Sequence, residues 1–249
     1  MARYDYRSPR LFVAAALAPG AMLTLDRRQT HYLRNVLRLK SEDPVLVFNG
    51  KDGEWRATLS DAGRRTAALA VHERARAQTV PCDLHYFFAP LKHERLDYMV
   101  QKAIELGVSR LVPVITRHVQ VTRVNLERMR ANAIEAAEQC GILNIAEIAD
   151  PLTFDQMITS RDLKRLLVFC DEDAESKDPV TALAAQFANG ARPLSVLIGP
   201  EGGFSDAERT ALLRLPNVVR LSLGPRILRA DTAAVAALAL VQGVLGDWR

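Results

Sequence analysis

From residue 83 onward, short apolar runs alternate with longer segments of helical periodicity, and this alternation leaves few folds open. A short apolar run bounded by glycine, proline or charge reads as a buried strand. Strands are read over residues 83–89, 110–115, 145–148, 165–170, 194–198 and 218–221. Helices are read over residues 94–106, 125–139, 154–160, 179–187, 205–213 and 230–245. Gly107 stands where a helix C-cap needs a left-handed residue, Asn125 where an N-cap needs an acceptor, and Pro179 at a helix start. Regular alternation of strand and helix predicts an α/β domain with a largely parallel sheet.

The chain before this point has a different rhythm. Strands are read at residues 10–16, 44–48, 54–59 and 66–72, with turn signals at Asn49-Gly50 and Asp61-Ala62-Gly63. Residues 30–37 read as one short helix with Thr30 as N-cap. Several short strands with turns between them predict a small barrel. The pattern changes across residues 75–81, so two domains are expected, 1–75 and 76–249, and 249 residues suffice for both. Charge follows the same division. Residues 1–82 hold 14 Lys+Arg against 8 Asp+Glu, and residues 83–249 hold 19 against 21. The basic excess is mostly arginine, which forks onto phosphate and stacks on bases. It fits either a nucleic-acid-gripping domain or an ordinary solvated surface.

Several classes are set aside. The first residues are charged and lack the apolar core of a secretory leader. The longest apolar stretch, residues 233–241, is far short of the ~20 residues that a membrane span needs. Cys82, Cys140 and Cys170 are widely spaced without a CxxC pair, so buried reduced thiols and a cytoplasmic location are expected. His85, His93 and His118 lie in separate segments without ligand spacing, and no metal site is expected.

Two strand-to-helix loops carry the candidate chemistry. In Ile198-Gly199-Pro200-Glu201-Gly202-Gly203-Phe204 a buried strand meets a glycine-rich turn, and Ser205 with Glu208 forms a capping box for the next helix. Such a loop bares backbone polar groups at the carboxyl edge of the sheet, where α/β proteins bind ligands. The loop is equally readable as a tight connection. It lacks the Lys-Ser/Thr pair of a Walker loop and the GxGxxG spacing of a dinucleotide fold. In the second loop, Leu223-Gly224-Pro225-Arg226-Ile227-Leu228-Arg229 precedes a helix with Asp231 in its first turn. Arg229 there can hold a phosphate or polarise a carbonyl, or simply pair with Asp231.

The two loops together resemble the SPOUT superfamily, and within it the bacterial 16S rRNA (uracil-N3)-methyltransferase family. The resemblance extends to residues 31–38, 102–108 and 135–141, so it covers nearly the whole chain in order. It implies a PUA-like β-barrel that holds RNA, followed by an α/β domain with a deep trefoil knot, an exception to unknotted topology. It implies S-adenosylmethionine as cofactor, bound by Phe169, Asp171, Glu172, Leu197, Ile198, Gly199, Pro200, Gly202, Leu221, Leu223, Gly224, Ile227 and Leu228. It implies a homodimer whose sites are completed by the partner chain, acting on 16S rRNA or the small ribosomal subunit.

Methylating uracil N3 requires loss of its proton and stabilisation of the anion spread over O2 and O4. Arg229 is the candidate for the electrostatic role. Glu201 is the candidate for orienting the base or accepting the proton, or for fixing the loop alone. His31, Arg34 and Arg38, about one helical turn apart, are candidate RNA contacts, as are Glu138 and Gln139. Both groups also read as solvated helix edges. Ile142 departs from the family pattern, which has arginine after Cys140-Gly141. A ribose 2′-O-methyltransferase is the neighbouring alternative, disfavoured by Ile227-Leu228-Arg229 where an Asn-Val-Ser-type motif is expected. A non-catalytic RNA-binding assembly protein is the alternative from another class.

Overall fold

The computed structural model of the protein describes residues 5, 7–61, 66–174, 178–187 and 193–248. The turn expected at 61–63 lies partly outside these residues, as does most of the charged start. The chain divides into two compact units, Met1–Val80 with Ala137–Ile145, and Pro81–Ala136 with Ala146–Arg249.

The first unit is built on a five-stranded sheet in the order β1-β3-β4-β5-β2. Its strands are β1 (Arg10–Phe12), β2 (Met22–Thr24), β3 (Pro44–Phe48), β4 (Glu54–Asp61) and β5 (Ala67–Arg76). Asn49 closes the β3–β4 hairpin, its Oδ1 accepting from the Lys51 and Asp52 amides. The buried face carries Val45, Val47, Trp55, Ala57, Leu59, Leu69 and Val71, packed with Leu33. The helix differs from its sequence reading. It begins earlier, as α1 (Arg27–His31), because Asp26 and Gln29 form a reciprocal capping box. Thr30, the expected N-cap, lies buried within α1 instead. A π-helical turn, Tyr32–Val36, follows.

A buried charge triad organises this unit. Glu54 is 1% exposed and accepts from Arg10 Nε at 2.7 Å and from Arg76 Nε at 2.7 Å. Arg10 also donates to the carbonyls of Ala137, Glu138 and Ile142, and Arg76 donates to that of Gly141. The last carbonyls of a helix have no partner within it. Here two guanidinium groups reach two of them, in Ala137 and Glu138 of α3 (Leu126–Cys140), and two more just beyond, in Gly141 and Ile142. The Arg10 guanidinium also lies 4.3 Å from the Phe48 ring centroid, a cation–π contact.

The second unit follows the expected alternation closely. It contains β6 (Leu84–Phe88), α2 (His93–Glu105), β7 (Arg110–Ile115), most of α3, β8 (Glu147–Ile148), β9 (Leu152–Thr153) and α4 (Phe154–Ser160). Then come β10 (Leu166–Cys170), α5 (Pro179–Phe187), β11 (Leu194–Ile198), α6 (Asp206–Leu213), β12 (Val218–Leu221) and α7 (Ala230–Val244). The strand order is β12-β10-β11-β6-β7-β8, with β9 also on β7, and every pairing is parallel. After β6 to β8 the chain crosses to β10, then returns to insert β11 between β10 and β6. Three neighbouring parallel strands, β12, β10 and β11, therefore end on the same edge. Among the described residues no helix is long and apolar enough to cross a membrane.

Candidate functional site

The loops that leave β10, β11 and β12 meet at that edge and enclose a cavity of about 330 Å³. This is where a strand order that reverses leaves a crevice. Phe169, Asp171, Glu172, Ile198, Gly199, Pro200, Leu221, Leu223, Gly224, Ile227 and Leu228 all line it, as does Glu201. Two expected positions do not. Leu197 is wholly buried in the core with Phe87, Val112 and Phe169. Gly202 turns away from the wall, and its carbonyl receives Nδ1 of His118 at 3.0 Å.

The glycine-rich loop is held from both ends. Ser205 caps α6, and Glu208, 8% exposed, accepts from the Ser205 amide and from the Arg117 amide at 2.8 Å. This joins the segment after β7 to the loop after β11. A Cβ on Gly199 would stand 2.7 Å from the Phe204 ring, so the ring takes the space a side chain would need. Phe204 packs edge-on against Phe169 at 5.1 Å between centroids, which fixes the cavity floor. Gly203 and Gly224 have φ of +67° and +100°, conformations that L side chains rarely adopt.

The walls divide into two kinds. Phe169, Ile198, Leu221, Ser222, Ala230 and Ala233 are buried. Glu172, Glu201, Asp206 and Arg226 are exposed around the rim. Asp171 lines the cavity, but its carboxyl group is taken by Arg220 Nε at 2.9 Å and Arg209 at 3.2 Å. Arg209 also reaches Asp173 at 2.6 Å, so the two arginines anchor the loop after β10. Cys170 lines the wall as well, and burial, with Asp171 beside it, pushes its thiol up to about 12. The expectation of uniformly buried thiols is corrected at Cys140, which is exposed.

Glu201 is half-exposed and lies 3.4 Å from Arg95. Arg229 is exposed at the N-cap of α7 and makes no side-chain cap bond; no ion pair joins it to Asp231, whose Oδ1 accepts from the Thr232 amide. Arg229 does not line the cavity, although both its neighbours do. Sequence reasoning gave no individual role to Ser222 or Phe204, which lie in the two loops, and missed Arg209 and His118. A serine between Leu221 and Leu223, directly after the strand, was the one local signal for Ser222.

The candidate RNA contacts all fall in the first unit. His31 is exposed on α1, and Arg34 is paired with Asp61. Arg38 lies beyond the π-helical turn with φ of +57°, so the three do not keep a regular helical phase. Glu138 accepts from the Phe12 amide at 2.7 Å. With Gln139, Arg7, Arg10 and Tyr32 it lines a cleft of about 440 Å³. The carbonyl of Ile142 receives Arg10 Nη2 at 2.9 Å.

Comparison with known proteins places these features in context. A family model described as RNA methyltransferase domain matches residues 78–242, and one described as RNA methyltransferase PUA domain matches residues 25–71. The ribosomal RNA small subunit methyltransferase E of Rickettsia conorii is 32% identical over 94% of each chain. That of a Synechocystis species is 32% identical over 95% of this chain and 78% of its own. A putative methyltransferase of Legionella pneumophila, solved with S-adenosylmethionine bound, is 29% identical with a TM-score of 0.82, covering 97% of this chain and 99% of its own.

Proposed function

The chain belongs to the ribosomal RNA small subunit methyltransferase E family, and from that premise we propose that it transfers a methyl group from S-adenosylmethionine to N3 of a uridine in 16S rRNA. The observation that carries this reading is the cavity closed by the loops after β10, β11 and β12. Its character suits the methyl donor. A buried apolar part matches a purine, open space at Gly224 allows close approach to the backbone, and the charged rim matches an amino-acid tail. When bound, S-adenosylmethionine supplies an electrophilic methyl group on sulfonium.

Phe169, Ile198, Leu221, Leu223 and Leu228 would pack on the donor, and Gly199, Pro200 and Gly224 would offer backbone groups to it. Asp171 would act through the loop it anchors. Arg229, exposed and uncapped beside the cavity, is proposed to stabilise the negative charge that spreads over O2 and O4 of the uracil. Glu201 at the rim is proposed to orient the base or accept its N3 proton, with Arg95 fixing the carboxyl group. His31, Arg34, Arg38 and Gln139 are proposed to meet the phosphates and bases of 16S rRNA or of the small ribosomal subunit. Glu138 is proposed to support that face through its bond to the Phe12 amide.

The reading includes the trefoil knot, a cytoplasmic site of action, two domains that part near residues 75–81 with residues 137–145 returning to the first, and a homodimer in which the partner chain completes each site. The dimer is supported by Ile227, 90% exposed, and by the part-exposed apolar residues Val235 and Leu240 on α7. The deciding experiment is mass spectrometry of 16S rRNA from cells lacking the protein. Loss of one N3-methyluridine, restored by the intact gene, is expected; an unchanged methylation pattern would refute the assignment.

A further inference from the structure

A buried hydroxyl on the cavity wall has no partner. Ser222 is 1% exposed and lines the cavity directly after β12, and its Oγ makes no hydrogen bond. Leaving a buried polar group unpaired is costly, and such groups are nearly always satisfied. Around it the buried lining is apolar, formed by Phe169, Ile198, Leu221, Ala230 and Ala233. The charged residues lie elsewhere. Glu172, Glu201, Asp206 and Arg226 stand on the exposed rim, and Asp171 is engaged by Arg209 and Arg220.

This division assigns the parts of a bound methyl donor. Its ammonium and carboxylate belong at the charged rim, since burying either in the apolar part would strip hydration without a counter-charge. Its purine ring is flat, apolar on its faces and polar only along its edge, which is what an apolar slot with one hydroxyl accommodates. We propose that Ser222 is the residue that reads the nucleobase edge of the methyl donor, its hydroxyl either donating to a ring nitrogen or accepting from the exocyclic amine. The inference rests on the reading that this cavity holds S-adenosylmethionine.

The test is calorimetry on the intact protein with S-adenosylmethionine, S-adenosylhomocysteine, adenosine and methionine, alongside thermal unfolding without ligand. Ser222→Ala should weaken the three adenine-containing ligands by about five- to tenfold each, the worth of one hydrogen bond to a buried polar group. It should leave the melting temperature of the ligand-free protein unchanged or raised, because an unpaired buried hydroxyl has been removed. Ser222→Cys keeps most of the volume and should lose similar affinity, which guards against a packing defect in the alanine variant. Unchanged affinity in both variants overturns the proposal. So does a loss for S-adenosylmethionine with none for adenosine, which would move the contact to the amino-acid part. A melting temperature that falls with affinity intact assigns Ser222 to the fold alone. Failure of the unaltered protein to bind S-adenosylmethionine would instead remove the reading on which the inference rests.

Discussion

Nδ1 of His118 lies 3.0 Å from the carbonyl oxygen of Gly202, so the segment after β7 holds the glycine-rich loop after β11 in place. The Arg117 amide, bound to Glu208 at 2.8 Å, repeats the connection one residue earlier. His118→Ala removes the first tie and leaves the second. The fold is expected to survive with a melting temperature within a few degrees of the parent, while calorimetry shows weaker binding of S-adenosylmethionine. Equal affinity would mean that Glu208 alone fixes the loop.

Gly199 is the tighter constraint. Gly199→Ala sets a methyl group 2.7 Å from the Phe204 ring, which must then leave its edge-on packing with Phe169. The expected cost is about 1–3 kcal/mol in urea unfolding, the usual range for an overpacked site. Donor binding should fall with it. A variant as stable as the parent would show that the Phe204 ring can move freely.

Arg229→Ala separates chemistry from binding. The side chain is exposed and makes no cap bond, so stability should change by no more than about 0.5 kcal/mol. Donor affinity should hold, while single-turnover methylation of a 16S rRNA substrate falls by about 10²–10³, as when one donor to a developing anion is lost. Full turnover in this variant would remove Arg229 from the mechanism.

Arg10→Ala leaves the buried Glu54 with Arg76 alone and strips partners from carbonyls at the end of α3. Glu54 keeps two bonds from Arg76, so the expected cost is about 1–3 kcal/mol, mainly from the carbonyls that lose their donor. Urea unfolding checks this directly. Removing Arg10 and Glu54 together should cost less than the two single changes added, because loss of Glu54 alone leaves the buried Arg10 without its carboxylate.

The pH dependence of stability should carry the mark of His85. Burial, reinforced by Arg165 and Arg110 and opposed by Asp83 and Asp162, holds its imidazole down to about 4 from a usual 6.5. The unfolded chain takes up this proton near 6.5 and the native chain only near 4. The contribution is therefore fully present above pH 6.5 and is lost progressively as pH falls towards 4. His85→Gln should flatten the fall in melting temperature between pH 6.5 and 5, a window above most carboxylate titrations. An unaltered slope would place the acid sensitivity elsewhere.

Most of the second unit was legible because its strands are short apolar runs punctuated by glycine, proline or a cap. β7, α4, α5, β11 and β12 have the bounds that the sequence reading gives them. β2 and β9 are three and two residues long, too brief for any periodicity to mark, and exist only through pairing with β5 and β7. Asp26 prevailed over Thr30 as N-cap because Gln29 could return the bond to its backbone. The loop residues of the cavity were legible through their glycines and their resemblance to a family. Phe204, Arg209, Ser222 and His118 were not, since their roles depend on what the parallel sheet brings beside them. Asp171 lines the cavity, but the two arginines that hold its carboxyl group come from α6 and β12 and could not be read from the loop itself.

The Arg10–Glu54–Arg76 triad takes its carbonyl partners from residues 137–142, long after the rest of its own unit has ended at Val80. During synthesis, the first eighty residues emerge with a charged cluster whose last acceptors have not yet been made. That unit can complete its bonding only once the chain beyond β7 has left the exit tunnel. Its maturation is thus timed by translation, and the segment 1–80 is not a portable module that can be cut out and grafted without its distant helix end.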